Sequence, residues 1–322
     1  MQVLSLFDGI SCGRVALERI GVPVDRYVAY EIEPNAIKIS RKNWPDIEHK
    51  GDVTVADFTQ FEGIDLLMGG SPCQSLSIIQ AHKRQNLNGK SKLFFEFVRA
   101  MKEAKPCYFL FENVASMNDE SRRTISELLG CQPVFINSNS FVAQDRPRLY
   151  WTNIPIQAPP LKECAASLKD IMQPNVPEKY FYGFPLDGLD MSKKVCAHMV
   201  HNNLEMHRRV YNPDYKVGCL TAVCGGNQQR KVYDNGRARK LTPLEYERLQ
   251  GLPDNYTTGI CDGQRYKAIG NGWTVDVIAW ILSFIPRKEE EECASKTRQT
   301  LRRCPGQLTQ DQDLEEQAPP MV

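Results

Sequence analysis

The feature of the sequence that most constrains the fold is the alternation of strand-like and helix-like segments across the first 150 residues. Short apolar runs rich in β-branched and aromatic residues predict strands at 3–7, 27–31, 64–68, 108–112 and 134–136. Between them, apolar residues at helical spacing predict helices at 13–20, 34–43, 93–104 and 120–129. This order is typical of an α/β fold, and we expect a doubly wound, mostly parallel sheet of the Rossmann-like type. Ligands of such sheets bind at the carboxyl ends of the strands.

Changes in amino-acid composition along the sequence, the first near residue 155, divide the chain into four predicted segments. Residues 1–154 form the main domain. Six prolines between residues 155 and 185 interrupt any long element, so we predict a smaller, irregular second domain over residues 155–238. Residues 239–286 return to the main domain through helices predicted at 241–249 and 274–285. Residues 287–322 are polar with few large apolar side chains, which predicts a disordered tail.

The distribution of charge points to a nucleic-acid partner. The net charge of the whole chain is only +1, but residues 193–240 contain ten Lys or Arg and three acidic residues, a local net charge of +7. This basic stripe (residues 193–240) is the electrostatic pattern of many nucleic-acid-binding proteins. A solvated polar face is an equally common explanation for such a pattern.

Composition and cysteine usage exclude several other classes of protein. Hydrophobic residues at 42% and charged residues at 25% are ordinary for a globular enzyme, which excludes a mainly disordered chain, a collagen and a coiled coil. The longest apolar stretch, residues 277–285, is shorter than the roughly 20 residues that a membrane span needs. Eleven cysteines without CxxC pairs, and a start without a leader pattern, favour a cytoplasmic protein.

A cysteine after the third predicted strand is the strongest candidate for chemistry. Two glycines follow the strand, and Pro72 then presents Cys73 at its carboxyl end. A thiolate is a strong nucleophile once a neighbouring positive charge lowers its pKa. An isolated cysteine is more often a small buried hydrophobe. The glycines and the proline argue against that explanation, because they are costly turn residues with no benefit to a core.

Two further polar motifs come at the ends of predicted strands. Glu112 directly follows an apolar run, where a carboxylate suits acid–base chemistry. Arg146 and Arg148 are two residues apart on an extended segment, so they should point the same way and suit one anionic or electron-rich target. Each motif alone is weak evidence, because strand-end acids and paired surface arginines are common.

The loop after the first strand and the acid after the second predict a nucleoside site. Residues 7–13 contain glycines that allow close backbone approach to a ligand and open a helix. Their spacing is not G-x-G-x-x-G, so a dinucleotide fits poorly. Glu31 is placed to bind ribose hydroxyls, and Asp52 could accept from an exocyclic amine. A nucleoside ligand without a pyrophosphate suits this set.

Together and in this order, these motifs resemble the DNA cytosine-5 methyltransferase family over residues 2–153 and 239–285. The resemblance rests on Gly-Ser-Pro-Cys-Gln at 70–74, Phe-Glu-Asn-Val at 111–114, Gln-x-Arg-x-Arg at 144–148, Arg-x-Leu-Thr-Pro-x-Glu with Leu-Gln-Gly-Leu-Pro at 239–253, and Ile-Gly-Asn at 269–271. Five ordered motifs are highly specific. Within the family, residues 4–10, 24–27 and 93–97 are most similar to the catalytic domain of the eukaryotic de novo enzymes and their phage or bacterial relatives.

The resemblance implies transfer of a methyl group from S-adenosylmethionine to C5 of a cytosine in double-stranded DNA. Cys73 would attack C6 of a flipped-out base, and Glu112 would hold N3 and the exocyclic amine. Arg146 and Arg148 would lie near the base O2 and a phosphate. Residues 155–238 would be the target-recognition domain. The expected cofactor contacts are Phe7, Asp8, Gly9, Ile10, Cys12, Glu31, Ile32, Asp52, Val53, Pro72, Leu93, Asn271 and Trp273.

Two loops are expected to contact DNA. The resemblance implies a mobile loop from residue 74 to about residue 92, with contacts from Gln74, Ser77 and Ile79, of which Ile79 would fill the vacated stack. The second loop combines glycines, amides and cations, which suit the reading of base edges in the major groove. Its expected contacts are Asn227, Gln228, Gln229, Arg230 and Lys231.

Other interpretations of the sequence stay open. Cys196, His198 and His201 have the ligand types of a zinc site without its usual spacing, so we predict no metal. One alternative function is cytosine-5 methylation of RNA, such as tRNA, and another is an inactive DNA-binding relative. The presence of all four catalytic residues argues against the inactive relative. We expect a monomer away from membranes, with a cognate restriction endonuclease as a candidate partner.

Overall fold

A seven-stranded sheet forms the centre of the computed structural model, which describes residues 1–72, 93–160 and 162–286. Within the described residues, the first eight strands are β1 (Gln2–Leu6), β2 (Arg26–Tyr30), β3 (Glu48–His49), β4 (Leu66–Gly69), β5 (Tyr108–Val114), β6 (Val134–Asn137), β7 (Gln144–Asp145) and β8 (Pro147–Thr152). All of them except β7 belong to this sheet, in the order β3-β2-β1-β4-β5-β8-β6.

The direction of the strands confirms the predicted fold class. Strands β3, β2, β1, β4 and β5 pair in parallel, whereas β8 is antiparallel to both β5 and β6. All five strands predicted from the first 150 residues overlap observed ones. The parallel strands bring the carboxyl ends of β1, β2, β4 and β5 to one edge of the sheet.

The helices between these strands begin and end where the sequence indicates. Helix α2 (Pro34–Asn43) has Pro34 in its first turn. Gly130 ends helix α4 (Asp119–Leu129) with a φ of +71°, a left-handed conformation that suits glycine. The Asn118 side chain caps α4 by accepting from the backbone N–H of Ser121. The helices are α1 (Cys12–Arg19), α2 (Pro34–Asn43), α3 (Phe94–Ala104), α4 (Asp119–Leu129), α5 (Leu168–Ile171), α6 (Glu205–Arg208), α7 (Pro243–Leu249), α8 (Asp262–Asn271) and α9 (Val275–Leu282).

Aromatic side chains fill the core between the sheet and α3. The Phe111 ring on β5 lies 5.1 Å from that of Phe94 and 4.9 Å from that of Phe97, and 5.9 Å from the Trp151 ring on β8. All four side chains are fully buried or nearly so. This packing fixes β5, and with it the strand end that holds Glu112.

The region predicted to be irregular contains a second sheet of short strands. The remaining strands are β9 (Leu186–Asp187), β10 (Val195–Met199), β11 (Arg209–Tyr211), β12 (Val217–Gly218), β13 (Lys231–Asp234) and β14 (Arg237–Lys240). Five of them form a sheet in the order β14-β13-β11-β10-β9, and β12 pairs with β7. Met1–Phe284 form one compact unit that includes both sheets, so the domain boundaries at 154 and 238 stay predictions.

The return to the first sheet is built around a capped helix. Thr242 and Glu245 form a capping box at the start of α7, with Pro243 in its first turn. Helix α9 contacts α1, which joins the last described helix to the first. Among the described residues, no helix is long and apolar enough to cross a membrane. The tail predicted at 287–322 lies outside the described residues.

Candidate active site

A cleft of about 270 Å³ opens at the carboxyl ends of the parallel strands. It lies where doubly wound sheets bind their ligands. Twelve of the residues expected to bind cofactor or carry out catalysis line it: Phe7, Asp8, Gly9, Ile10, Cys12, Glu31, Pro72, Glu112, Arg146, Arg148, Asn271 and Trp273.

The loop after β1 is sharply bent and brings a buried acid to the cleft. Phe7, Gly9 and Ser11 all have positive φ angles. The Asp8 carboxylate accepts hydrogen bonds from Ser11 Oγ at 2.5 Å and from the Tyr27 hydroxyl at 2.7 Å. Burial raises the pKa of Asp8, and these hydrogen bonds oppose the rise. The loop thus exposes backbone to the cleft while its acid holds the bend.

Glu31 lies at the end of β2 and is fixed by backbone donors. Its Oε1 accepts from the N–H groups of Ile32 and Glu33, each at 2.8 Å. Its Oε2 accepts from the N–H of Gly9 at 2.8 Å. The carboxylate therefore bridges the loop after β1 and the start of α2, and lone pairs remain for a ligand hydroxyl.

Glu112 is held between two donors beside the strand end that leads to Cys73. Arg148 Nε contacts Glu112 Oε1 at 2.8 Å, and Trp273 Nε1 donates to Oε2 at 3.0 Å. A Cβ on Gly70 would lie 2.9 Å from that Oε2 and 3.0 Å from Trp273 Nε1. Any side chain at this position would push the Glu112 carboxylate or the Trp273 indole aside, which explains one of the two glycines at the end of β4. The Glu112 side chain is only 12% exposed, and it lines the cleft together with residues 70–72.

Arg146 differs from the sequence-based interpretation. Its Nη1 donates to the carbonyl of Leu220 at 2.8 Å, and its Nη2 donates to the carbonyls of Gly270 and Gly272 at 3.0 and 2.9 Å. The side chain is buried. The two arginines therefore do not share one external target: Arg148 faces Glu112, and Arg146 joins the segments that form the wall of the cleft.

Some expected residues lie outside the cleft or outside the described chain. Four expected cofactor contacts do not line the cleft. Ile32 is 68% exposed, Asp52 accepts from the backbone N–H of Thr54 at 2.8 Å, and Val53 and Leu93 pack against the hydrophobic core. Cys73, Gln74, Ser77 and Ile79 lie outside the described residues. Pro72, the last described residue before them, lines the cleft.

The structure corrects the expected DNA contacts in the second loop. Lys231 is fully buried, and its Nζ donates to the carbonyls of His207, Asn227 and Gln229 at 2.6–2.8 Å. Arg230 is buried too, and its guanidinium donates to the carbonyl of Cys219. Gln229 is 6% exposed. These three side chains stabilise the fold of the loop, and only Asn227 and Gln228 remain partly exposed.

Most cations of the basic stripe are likewise used within the protein. Lys194 pairs with Asp145 on β7, and Lys216 donates to the carbonyls of Cys164 and Ala166. Arg239 is fully buried against Glu245. A local charge of +7 in the sequence therefore overstates the positive surface.

Several residues of the cleft were missed at the level of sequence. Gln264 and Lys267 precede the expected Asn271 at helical spacing on α8, and both line the cleft. Their helical spacing before the Ile-Gly-Asn motif is the feature of the sequence that could have indicated them. Ser71 and Asn113 also line it, and the side chain of Asn113 donates to the carbonyl of Ser71 at 3.5 Å. Ser71 Oγ is buried without a partner among the described residues.

The histidines and cysteines of the second sheet do not form a metal centre in the described part of the chain. No group of three His, Cys, Asp or Glu side chains there is arranged to hold a metal ion. Cys196 Sγ contacts the carbonyl of Val210, and His198 contacts Glu205 at 3.0 Å. These side chains have local partners.

Comparison with known proteins identifies the family. The sequence model for C-5 cytosine-specific DNA methylases matches residues 1–180 and 199–287. The type II methyltransferase M1.ScrFI of Lactococcus lactis subsp. cremoris is 30% identical over 302 residues, which cover 86% of this chain and 76% of the relative. The type II methyltransferase M.HpaII of Haemophilus parainfluenzae is 27% identical over 317 residues, covering 85% and 86%.

Solved structures agree on the fold. The Entamoeba histolytica methyltransferase EhMeth aligns with a TM-score of 0.68 at 20% identity, covering 88% of this chain and 97% of that one. The S. pombe Dnmt2 methyltransferase aligns with a TM-score of 0.66 at 19% identity, covering 88% of this chain and 97% of that one. With the family match over most of its length and the family's glutamate and arginine motifs in one cleft, the chain belongs to the C-5 cytosine-specific DNA methylase family.

Proposed function

We propose that the protein transfers a methyl group from S-adenosylmethionine to C5 of a flipped-out cytosine in double-stranded DNA. One observation carries this proposal: Glu112 and the strand end that leads to Cys73 border the same cleft as Asp8 and Glu31. One site thereby combines a carboxylate that can hold the base, the strand end that precedes the proposed nucleophile, and two acids that can bind a nucleoside.

The chemistry of the cleft fits S-adenosylmethionine. The carboxylates of Asp8, Glu31 and Glu33 suit a ligand with a positively charged sulfonium and amine. Glu31 is oriented by three backbone N–H groups and suits ribose hydroxyls. The buried Ser71 hydroxyl supplies a polar atom without a partner in the described chain. When bound, S-adenosylmethionine supplies an electrophilic methyl group.

In the proposed mechanism, the Cys73 thiolate makes the base reactive. Its sulfur bonds to C6 of the cytosine, which moves electron density to C5. C5 would then take the methyl group as the bond between the methyl carbon and the sulfonium sulfur breaks, leaving a thioether. Transfer of the C5 proton to solvent and departure of the Cys73 thiolate from C6 restore the ring. Glu112, oriented by Arg148 and Trp273, holds N3 and the exocyclic amine during addition. Arg146 keeps the wall of the cleft in place through its bonds to three carbonyls.

The surface proposed to read DNA consists of two adjoining loops of the second sheet. The Asn203 side chain donates to the carbonyl of Gly226 at 3.1 Å, which ties the segment after β10 to the loop before β13. Gln228 is partly exposed beside the exposed glycines 225 and 226. We assign Asn227 and Gln228 to base or backbone contacts in this surface.

We also propose a monomeric cytoplasmic protein that works beside a restriction endonuclease. The two relatives aligned over most of their length are named type II methyltransferases. The orphan methyltransferase of Bacillus phage SPR is 34% identical, but it aligns over only 47% of this chain and 37% of its own length. Full-length similarity thus favours the type II arrangement.

A methyl-transfer assay tests the proposal. Purified protein is incubated with methyl-tritiated S-adenosylmethionine and either duplex DNA or tRNA, and the nucleosides are separated after digestion. We expect label in 5-methylcytosine from the duplex. Label in tRNA alone would replace this function with the RNA alternative, and no label in either would favour the inactive relative.

A further inference from the structure

Cys219 lies beside Arg146 and Arg148 of the site, and the short ladder between β7 and β12 places it there. Strand β12 pairs in parallel with β7, with Val217 opposite Gln144 and Gly218 opposite Asp145. Cys219 and Arg146 are the residues that directly follow this ladder on its two strands. A Cβ on Gly218 would lie 2.6 Å from the Tyr211 hydroxyl, so the segment fits closely in this register.

The sulfur of Cys219 is approached by both arginines of the family motif. Arg146 Nη1 donates to Sγ at 3.5 Å, and Arg148 Nη2 donates to it at 3.9 Å. The two other nitrogens of Arg148 have different partners. Nε contacts the Glu112 carboxylate, and Nη1 donates to the carbonyl of Pro147. Arg230 donates to the carbonyl of Cys219 and fixes its backbone. One sulfur thus links the segment that follows β12 to the side chain that orients Glu112.

We propose that Cys219 is a positioning residue whose sulfur is a shared acceptor for Arg146 and Arg148, and so holds Arg148 against Glu112. This role rests on the proposed function, because it matters for catalysis only if Glu112 holds the base. Cys219 does not touch the substrate in this account. It acts through the orientation of Arg148.

The thiol of Cys219 donates to the carbonyl of Leu220 at 3.3 Å, and its electrostatic surroundings favour loss of that proton. Burial raises the pKa of the Cys219 thiol, but the guanidinium groups of Arg146, Arg148 and Arg230 outweigh burial and lower it below its usual value. Arg148 lies between the sulfur and the Glu112 carboxylate, which it contacts through Nε. Hydrogen bonds to a thiolate are stronger than those to a neutral thiol, because the acceptor is charged.

Kinetics separate positioning from simple space-filling. We expect Cys219→Ala to lower kcat about tenfold, the loss expected for one hydrogen bond to a charged group. The KM values for DNA and S-adenosylmethionine and the thermal midpoint should stay close to those of the wild type. Cys219→Ser keeps an acceptor and should recover part of the rate. The matched control is Cys107→Ala, which removes an exposed thiol.

A double variant tests whether the effect passes through Arg148. Arg148→Lys removes the donors that face the sulfur while keeping the charge. If Cys219 acts through Arg148, adding Cys219→Ala to Arg148→Lys should cost little more than Arg148→Lys alone. Independent, multiplying losses would overturn the proposal, as would a wild-type kcat for Cys219→Ala.

A spectroscopic measurement tests the sulfur without any turnover. The difference in ultraviolet thiolate absorbance between wild type and Cys219→Ser is followed against pH. We expect one thiolate to appear below the usual range of a cysteine, and its absence would contradict the anionic acceptor. If the wild type methylates no DNA, the proposed function fails on its own, and this titration still decides whether the arginines hold a thiolate.

Discussion

Glu112 is the residue at which the chemistry of the site depends most on orientation. Its two carboxylate oxygens have separate donors, Arg148 Nε and Trp273 Nε1. We expect Glu112→Gln to lower kcat by about 100-fold or more, the usual contribution of a proton-handling side chain. The amide keeps the shape of the carboxylate, so the thermal midpoint should change little. Single-turnover kinetics with a cytosine duplex measure the effect, and a Glu112→Gln enzyme with the wild-type rate would remove Glu112 from the mechanism.

For single residues, the sequence identifies candidates by their position at strand ends, but it does not show which atoms their side chains contact. Glu112 and Arg148 were predicted correctly as cleft residues because β5 and β8 could be recognised around them. The burial of Arg146 and Lys231 could not be predicted, because their acceptors are carbonyls of residues far away in the chain or in an irregular loop. Positive charge in a sequence does not distinguish a phosphate contact from a buried cation that binds carbonyls.

The loop that precedes β13 is the element on which sequence specificity is expected to depend. Replacing Gln228 with Ala should relax or shift the methylated sequence, by about 1–3 kcal/mol if the amide makes a bidentate base contact. Catalytic residues lie elsewhere, so kcat on the best site should be retained. Sequencing of methylated cytosines in a random duplex library checks this. The control is Gln132→Ala, an exposed glutamine before β6. An unchanged motif and unchanged affinity would withdraw the assignment.

The junction between β14 and α7 is an element held by a buried ion pair. Arg239 donates to both carboxylate oxygens of Glu245 at 2.8 Å, and both side chains are fully buried. Arg239→Ala would leave a buried carboxylate without its cation and should lower the free energy of unfolding by about 3–5 kcal/mol. Denaturant unfolding measures this loss.

An exposed ion pair provides the control for that prediction. Arg122 pairs with Asp119 on α4, and their side chains are 51% and 90% exposed. Arg122→Ala should change the free energy of unfolding by less than about 1 kcal/mol, because solvent screens such pairs. Equal losses in the two variants would contradict the account of the Arg239 junction.

The elements that sequence predicted are those whose pattern is local. Helix α2 was predicted with its observed ends, because Pro34 marks its start and its apolar residues follow helical spacing. Strands β7, β9 and β12 have two residues each, too few for any periodicity. They exist because distant segments pair with them, and that pairing is not visible in a single sequence.

For the molecule as a whole, the family fold is expected to be complete without the last residues. Residues 287–322 contain few large apolar side chains, so they can bury little surface. We expect a chain ending at residue 286 to keep the thermal midpoint and the methylation rate of the full chain. Calorimetry and the tritium assay on both chains test this. A large fall in the midpoint would mean that this segment packs against the fold.

The overall architecture was predictable because ordered motifs and strand–helix alternation constrain each other. The parallel order of β1, β2, β4 and β5 brings the acids to one edge, and β8, antiparallel to β5, begins at that edge with the arginine motif. The second sheet was predicted only as an irregular region, since its short strands are separated by loops rich in turn residues. What sequence lacked there was tertiary pairing, including the contact of Cys219 with the arginines.

The most direct test of the central claim is a covalent trap. A duplex with 5-fluorocytosine at the target position is incubated with the protein and S-adenosylmethionine, and the adduct is mapped by peptide mass spectrometry. Fluorine cannot leave C5 as the proton does, so the bond between sulfur and C6 should persist on Cys73, and Cys73→Ala should form no adduct while still binding the duplex. An adduct on another cysteine, or methylation that continues in Cys73→Ala, would contradict the account.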